Sequence, residues 1–234
     1  MKPLEGHTLA AYDGELSQLH LLLVEMGGLV IFQLDCALKS LKCSDVKLAR
    51  QVIERDDSVD KLELKVDAEI ESILARRTPV ARDLRTVLTC SKSVAALEQI
   101  GDEAGKIAQV TLQINSQDSR GIKQSLTHDL ARLGDNTLKS LTTVIEALDI
   151  IDPHKAAALI KANKAQDVQF QQSVRRTATF MLDDSRNMGP SIQILLAGNA
   201  LERISTLSKN IAEHIVYLVD GDDIRHGRQS HINA

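Results

Sequence analysis

The stretch Ala96–Ile107, Ala-Leu-Glu-Gln-Ile-Gly-Asp-Glu-Ala-Gly-Lys-Ile, returns in altered form 104 residues later as Ala200–Ile211, Ala-Leu-Glu-Arg-Ile-Ser-Thr-Leu-Ser-Lys-Asn-Ile. Ala, Leu, Glu, Ile and the final Ile keep their places. A chain that repeats itself in this way is constrained to build two related units around equivalent faces. Within the first copy Glu98 and Asp102 are four positions apart, which puts them one turn apart on one side of a helix. The second copy keeps Glu202 but carries Thr206 where the second acid would fall.

The repeat is helical in character. There is no Trp, and the aromatic residues are only Tyr12, Tyr217, Phe32, Phe170 and Phe180. A core made from Leu, Ile, Val and Ala suits helix packing, so an all-α fold is expected. With 234 residues, two units of roughly 100 to 120 residues would each bury a real core. The net charge of −4 is spread along the chain. That argues against a nucleic-acid partner, which needs clustered cations and stacking aromatics. The adjacent arginines Arg76-Arg77 and Arg175-Arg176 read as solvated helix surface. Cys36, Cys43 and Cys90 form no Cys-x-x-Cys and no even disulfide set, which fits a reducing compartment. Met1–Thr8 lacks the form of a secretory signal. The most apolar run, Leu21–Leu34, contains Glu25 and two glycines and is too short to span a bilayer. The expectation is a cytoplasmic protein without a transmembrane segment.

Along the chain, Leu16, Leu19, Leu23, Met26, Val30, Leu34, Leu38 and Leu41 mark a first helix from about Leu9 to Leu41. Gly27-Gly28 in its middle reads either as a kink or as a close approach by a neighbouring backbone. Ser44 is the expected cap of a second helix with the seam Leu48, Val52, Val59, Leu62, Val66, Ile70 and Ile73. Thr78-Pro79 ends it and opens a third, from about Val80 to Asn115. Ser116–Gly121 is the candidate boundary between units. Beyond it Leu126, Leu130, Leu133, Leu141, Ile145 and Leu148 make a fourth helix, with Gly134 as a weak point. Asp152-Pro153 caps and opens the fifth, whose seam includes Ile160, Asn163, Asp167, Phe170 and Val174. Gly189-Pro190 separates it from the sixth, which ends at Gly221. The organisation expected is a first three-helix antiparallel bundle over residues 1–117, a second over 118–221, and a polar tail over 222–234.

One irregularity in the second helix bears on function. Asp56 falls in the apolar seam and Asp60 lies one turn later beside it. An inward carboxylate is costly unless neutralised. Asp56 and Asp60 answer Glu98 and Asp102 on the next helix, whereas the same places in the second unit hold Asn163 with Asp167 and Glu202 with Thr206. Facing carboxylate pairs cannot all stay ionised unaided. A cation relieves them, and oxygen-only ligands suit magnesium, manganese, calcium or iron. The plainer alternative is that these acids face solvent or pair with Lys61, Lys65 or Lys106. A carboxylate-bridged di-metal enzyme would use Glu-x-x-His pairs, and the chain has none. It also has no phosphate-binding Gly-Lys-Ser/Thr loop, dinucleotide fingerprint or nucleophile elbow. No catalytic residue, organic cofactor or enzymatic activity is expected.

Several stretches together carry a resemblance. They are Met26-Gly27-Gly28-Leu29-Val30, Val52-Ile53-Glu54-Arg55-Asp56, Arg77-Thr78-Pro79-Val80-Ala81-Arg82-Asp83-Leu84-Arg85, Glu98-Gln99-Ile100-Gly101-Asp102, Met181-Leu182-Asp183-Asp184-Ser185-Arg186 and Leu201-Glu202-Arg203-Ile204. In this order, within a tandem repeat, the chain resembles the PhoU family of bacterial phosphate-uptake regulators from about Tyr12 to Gly221. The resemblance implies two similar helical bundles, a homodimer, and negative regulation of phosphate uptake and of phosphate-starvation genes. It implies action between a phosphate ABC transporter ATPase and a sensor histidine kinase, with peripheral association at the membrane transporter. It also implies one metal cluster per repeat, which here maps onto Asp56, Asp60, Glu98 and Asp102, and onto the positions of Asn163, Asp167, Glu202 and Thr206. The chain departs from that pattern at Asn163, at Thr206, at Ser205 in place of a glycine, and at Ile31 in place of an acid. The expectation is a divalent or trivalent metal (iron, manganese, zinc or magnesium) in the first repeat only. An accessory role for another phosphate carrier, or a metal-binding bundle of unrelated role, are the competing readings.

Overall fold

Helices are the only regular elements among the residues that the computed structural model describes, 10–116, 124–183 and 188–221. They are α1 (Ala10–Cys43), α2 (Val46–Glu54), α3 (Asp56–Arg77), α4 (Ala81–Ser116), α5 (Gln124–Asp149), α6 (Pro153–Asp183) and α7 (Met188–Asp220). α1, α2 with α3, and α4 make the first three-helix antiparallel unit, and α5, α6 and α7 the second. The Ser116–Gly121 boundary and the tail expected over 222–234 lie, apart from Ser116, outside the described residues.

The α1 seam is buried as its periodicity requires, with Leu19, Leu23, Met26, Val30 and Leu34 fully enclosed. By length and composition α1 could cross a membrane (Tyr12–Cys43, with a mean hydropathy of 1.9 in its most apolar 18-residue window), but 56% of that window is buried inside the protein. What approaches Gly27 closely is a neighbouring side chain, not the backbone expected. A Cβ there would stand 2.8 Å from Ile145 Cδ1 and 2.9 Å from its Cγ2, while Gly28 next to it faces open space. Gly134, expected to weaken α5, is instead the mirror of this contact, because a Cβ there would overlap Leu38 Cδ2. The offset that carries Asp56 to Asn163 also carries Gly27 to Gly134 and Leu38 to Ile145. The first helices of the two units therefore pack on each other by a pseudo-twofold exchange of knob and glycine.

The third helices pack likewise. α4 and α7 lie together at the centre, and the repeated Ala96 and Ala200, Leu97 and Leu201, Ile100 and Ile204 are all buried. The Arg203 guanidinium donates to Gln99 Oε1 at 2.8 Å, joining two residues at equivalent places in the repeat. One hydrophobic cluster consequently runs through both units.

The second helix departs from the sequence expectation in two ways. Ser44 takes a left-handed turn (φ 54) and does not cap. Asp45 does, its Oδ1 accepting the backbone N–H groups of Lys47 and Leu48 at 3.0 Å each. The helix is also broken at Arg55 (φ −85, ψ −8), whose N–H is shared between Gln51 O and Val52 O. Asp56 and Asp57 then supply the acidic first turn of α3, where the helix dipole favours negative charge. The Arg55 guanidinium lies 5.3 Å over the Phe32 ring. Elsewhere Asp152 caps α6 through His154 N and Lys155 N, Pro153 is its first residue, and Gly221 (φ 78) closes α7. Pro79 precedes α4 rather than opening it, and Gly189-Pro190 lie inside the first turn of α7.

Candidate metal centre

The break at Arg55 aims Asp56 at the α4 backbone. Gln33 Nε2 of α1 donates to Asp56 Oδ1 at 2.8 Å. A Cβ at Gly101 would come 3.3 Å from Gln33 Oε1 and 3.4 Å from Asp56 Oδ1, and one at Gly105 would be 3.9 Å from Asp56 Oδ2. The two glycines of α4 thus form the cradle in which the Asp56 carboxylate rests. Glu98 is half-buried on the same helix, whereas Asp60 and Asp102 are exposed at the rim. Among the described residues no three His, Cys, Asp or Glu side chains converge closely enough to hold a metal ion as they stand.

The electrostatics show that the acids nevertheless share one region. Burial holds the Glu98 carboxyl above the usual range, and Asp102, Glu63, Asp60 and Asp56 push it further up. Asp102, open to solvent at the rim yet partly desolvated by the packed helices beneath it, is raised by that desolvation and by Asp56, with Lys106 working against this. Glu63 is raised by burial and then by Asp67, Asp60 and Asp102. Lys106 itself is engaged with Glu103 at 2.8 Å. Oxygen donors alone, an excess of negative charge and a glycine cradle fit a hard cation. Burial pushes the Cys90 thiol up to about 12, away from the thiolate form that binds metal.

Gln33 and Glu63 were not singled out by the sequence reading. Glu63 could have been, because it lies two turns after Asp56 and so shares its face. Gln33 interrupts the inward side of α1 with a polar residue 4% exposed, a signal of the same kind as Asp56. Of the two arginine pairs read as solvated surface, Arg77 is bound to Glu15 through two bonds of 2.9 and 2.8 Å. Arg176 pairs with Asp129 at 3.0 Å.

At the equivalent place in the second unit, Asn163 is buried and donates to Ser205 Oγ at 2.8 Å. Ser205, in the position of Gly101, fills the cradle. Gln166 donates to Thr137 Oγ1 at 3.0 Å and accepts from Ser140 at 3.2 Å. Phe170, 2% exposed, occupies the position of Glu63. Asp167 is exposed, and Glu202 and Thr206 are partly so. Neutral, mutually satisfied side chains have replaced the inward part of the charge cluster, and of its acids only Asp167 and Glu202 remain.

Comparison with known proteins decides the family. The PhoU domain matches the chain twice, at residues 23–111 and 130–215. The chain belongs to the PhoU family. It is 35% identical to the phosphate-specific transport system accessory protein PhoU of Escherichia coli K12 over 223 residues, covering 95% of this chain and 91% of that one. The PhoU protein of Edwardsiella tarda is 35% identical, with 95% and 90% covered. The crystal structure of PhoU from Pseudomonas aeruginosa superposes with a TM-score of 0.86 at 34% identity, over 90% of this chain and 100% of that one. The PhoU family match thus takes in both units, including the one whose acids are replaced.

Proposed function

We propose that this protein is a negative regulator of phosphate uptake and of the phosphate-starvation response. In this reading it is an adaptor between a phosphate ABC transporter ATPase and a sensor histidine kinase, and not an enzyme. The tandem family match across nearly the whole chain carries the reading, since the relatives are named accessory proteins of phosphate-specific transport. It works in the cytoplasm as a homodimer, at the inner face of the transporter. A divalent or trivalent cation held by Asp56 and Asp60 of α3 with Glu98 and Asp102 of α4 ties the two helices of the first bundle. The cation supplies the positive charge that these acids lack, and the second bundle holds none. The loss of two acids at the second site, at Asn163 and Thr206, favours, as a second reading, an accessory role for another phosphate carrier.

The test is affinity capture of the full-length tagged chain from phosphate-replete cells, with and without a chelator. Recovery of a phosphate-transporter ATPase or a sensor kinase supports the adaptor role. Recovery of neither under both conditions refutes it.

A further inference from the structure

We infer that Gln33 is a positioning residue of the acidic site, its Nε2 fixing the Asp56 carboxylate and its Oε1 offering a neutral oxygen to a hydrated cation. This rests on the reading that the first bundle holds a hard cation. Gln33 is 4% exposed, and its two amide atoms have different fates. Nε2 donates to Asp56 Oδ1 at 2.8 Å. Oε1 is buried without a hydrogen-bond partner, and it faces the Gly101 cradle, 3.3 Å from where a Cβ would stand. The bond to Asp56 fixes which way round the amide lies, since a carboxylate accepts and cannot donate. The orphaned acceptor is therefore held against Gly101 of α4, beside the Asp56 carboxylate.

A packing role alone accounts poorly for this arrangement. A buried acceptor left unpaired costs stability, and an apolar side chain of similar size would avoid that cost. The second repeat shows what the same place looks like without the acids. Ser140 stands in the position of Gln33 and donates to Gln166 Oε1 at 3.2 Å, while Asn163 is bound to Ser205 Oγ at 2.8 Å. The orphaned amide oxygen thus accompanies the carboxylate cluster and the glycine at position 101, over which Gln33 Oε1 and Asp56 Oδ1 pack. Side chains that orient a ligating carboxylate tune affinity without making the largest contact themselves.

The test uses the full-length protein stripped with chelator and titrated with Mn²⁺, free ion being read by electron paramagnetic resonance. Gln33→Met and Gln33→Leu are compared with the natural sequence and with Glu98→Gln/Asp102→Asn. Two apolar variants of different shape guard against one failing to fold, and circular dichroism of each apo protein reports this. The double variant should lose binding. Gln33→Met and Gln33→Leu should retain it with an affinity lower by about tenfold to a hundredfold, the range for lost outer-sphere partners. Mn²⁺ affinity within twofold of the natural sequence in both Gln33 variants, whatever their melting temperatures, would overturn the assignment of Gln33 alone. Failure of the natural sequence to bind Mn²⁺ would instead overturn the cation reading and this inference with it.

Discussion

The neighbours Gly27 and Gly28 should respond to alanine with opposite signs. Both lie inside α1, so helix propensity favours alanine at each by about 0.8–1.0 kcal/mol. At Gly28 nothing lies within 4 Å of the added Cβ, and the full gain should appear. At Gly27 the Cβ would meet Ile145 Cδ1 at 2.8 Å, Cγ2 at 2.9 Å and Cγ1 at 3.1 Å. The Cδ1 end can swing away, but Cγ2 moves only with χ1, which is stiff in a β-branched residue on a helix. Overpacking of this kind costs roughly 1–3 kcal/mol. Set against the propensity gain, Gly27→Ala should be neutral to destabilising by about 2 kcal/mol, and the two variants should differ by roughly 1–3 kcal/mol. For a chain of this size that separates their melting temperatures by roughly 2–12 °C. Calorimetry or thermal circular dichroism of metal-free protein reads the difference. In a double-mutant cycle, Gly27→Ala should cost less in the Ile145→Ala background than in the natural sequence, because the clashing atoms are gone, although Ile145→Ala itself destabilises. Equal stabilisation by Gly27→Ala and Gly28→Ala would refute the close approach of α5 to α1.

Two further predictions concern the acidic site. The raised carboxyls of Glu98, Asp102 and Glu63 mean that the folded chain binds more protons than the unfolded one between the ordinary carboxylate range and their raised values. Their contribution to metal-free stability therefore increases as pH falls through that interval and levels off below the unfolded pKa of about 4. Glu15, held low by its bond to Arg77, works in the opposite sense at lower pH. Glu98→Gln/Asp102→Asn should raise the apo melting temperature at pH 7 and flatten its rise as pH falls from 7 toward the ordinary carboxylate range. A slope unchanged from the natural protein would count against the cluster. In the second unit, Asn163→Asp, Ser205→Gly and Thr206→Asp together should reopen the cradle and restore two acids. Elemental analysis should then find more bound metal per chain than in the natural protein, and an unchanged stoichiometry would show that Phe170 and Gln166 keep the site closed.

The helical class, the six-helix repeat and the approximate ends of most helices were legible because apolar residues recur at helical spacing, and proline, Asp152 and Gly221 mark boundaries. The failures were local. Ser44 and Asp45 are both good caps by composition, and which one serves depends on the left-handed turn at Ser44. The break at Arg55 has no proline or glycine to announce it, and the seam runs on past it from Val52 to Val59. Asp56 was recognisable as an acid at an inward position, but its partner Gln33 comes from a helix whose register against α3 is set by packing.

What the sequence determined by itself is the two-unit helical scaffold and the difference between its halves. Periodicity and repeat are properties of the chain, and Asn163, Ser205 and Thr206 state their chemistry wherever they lie. What only the tertiary structure decided is which side chains meet. Gly27 and Gly134 became reciprocal sockets for Ile145 and Leu38 through the pseudo-twofold pairing of α1 with α5. Gln33, Asp56 and Gly101 came together because α1, α3 and α4 converge at one depth. Such convergence depends on the relative rotation of packed helices. That rotation is fixed by the whole core at once, and no single segment encodes it.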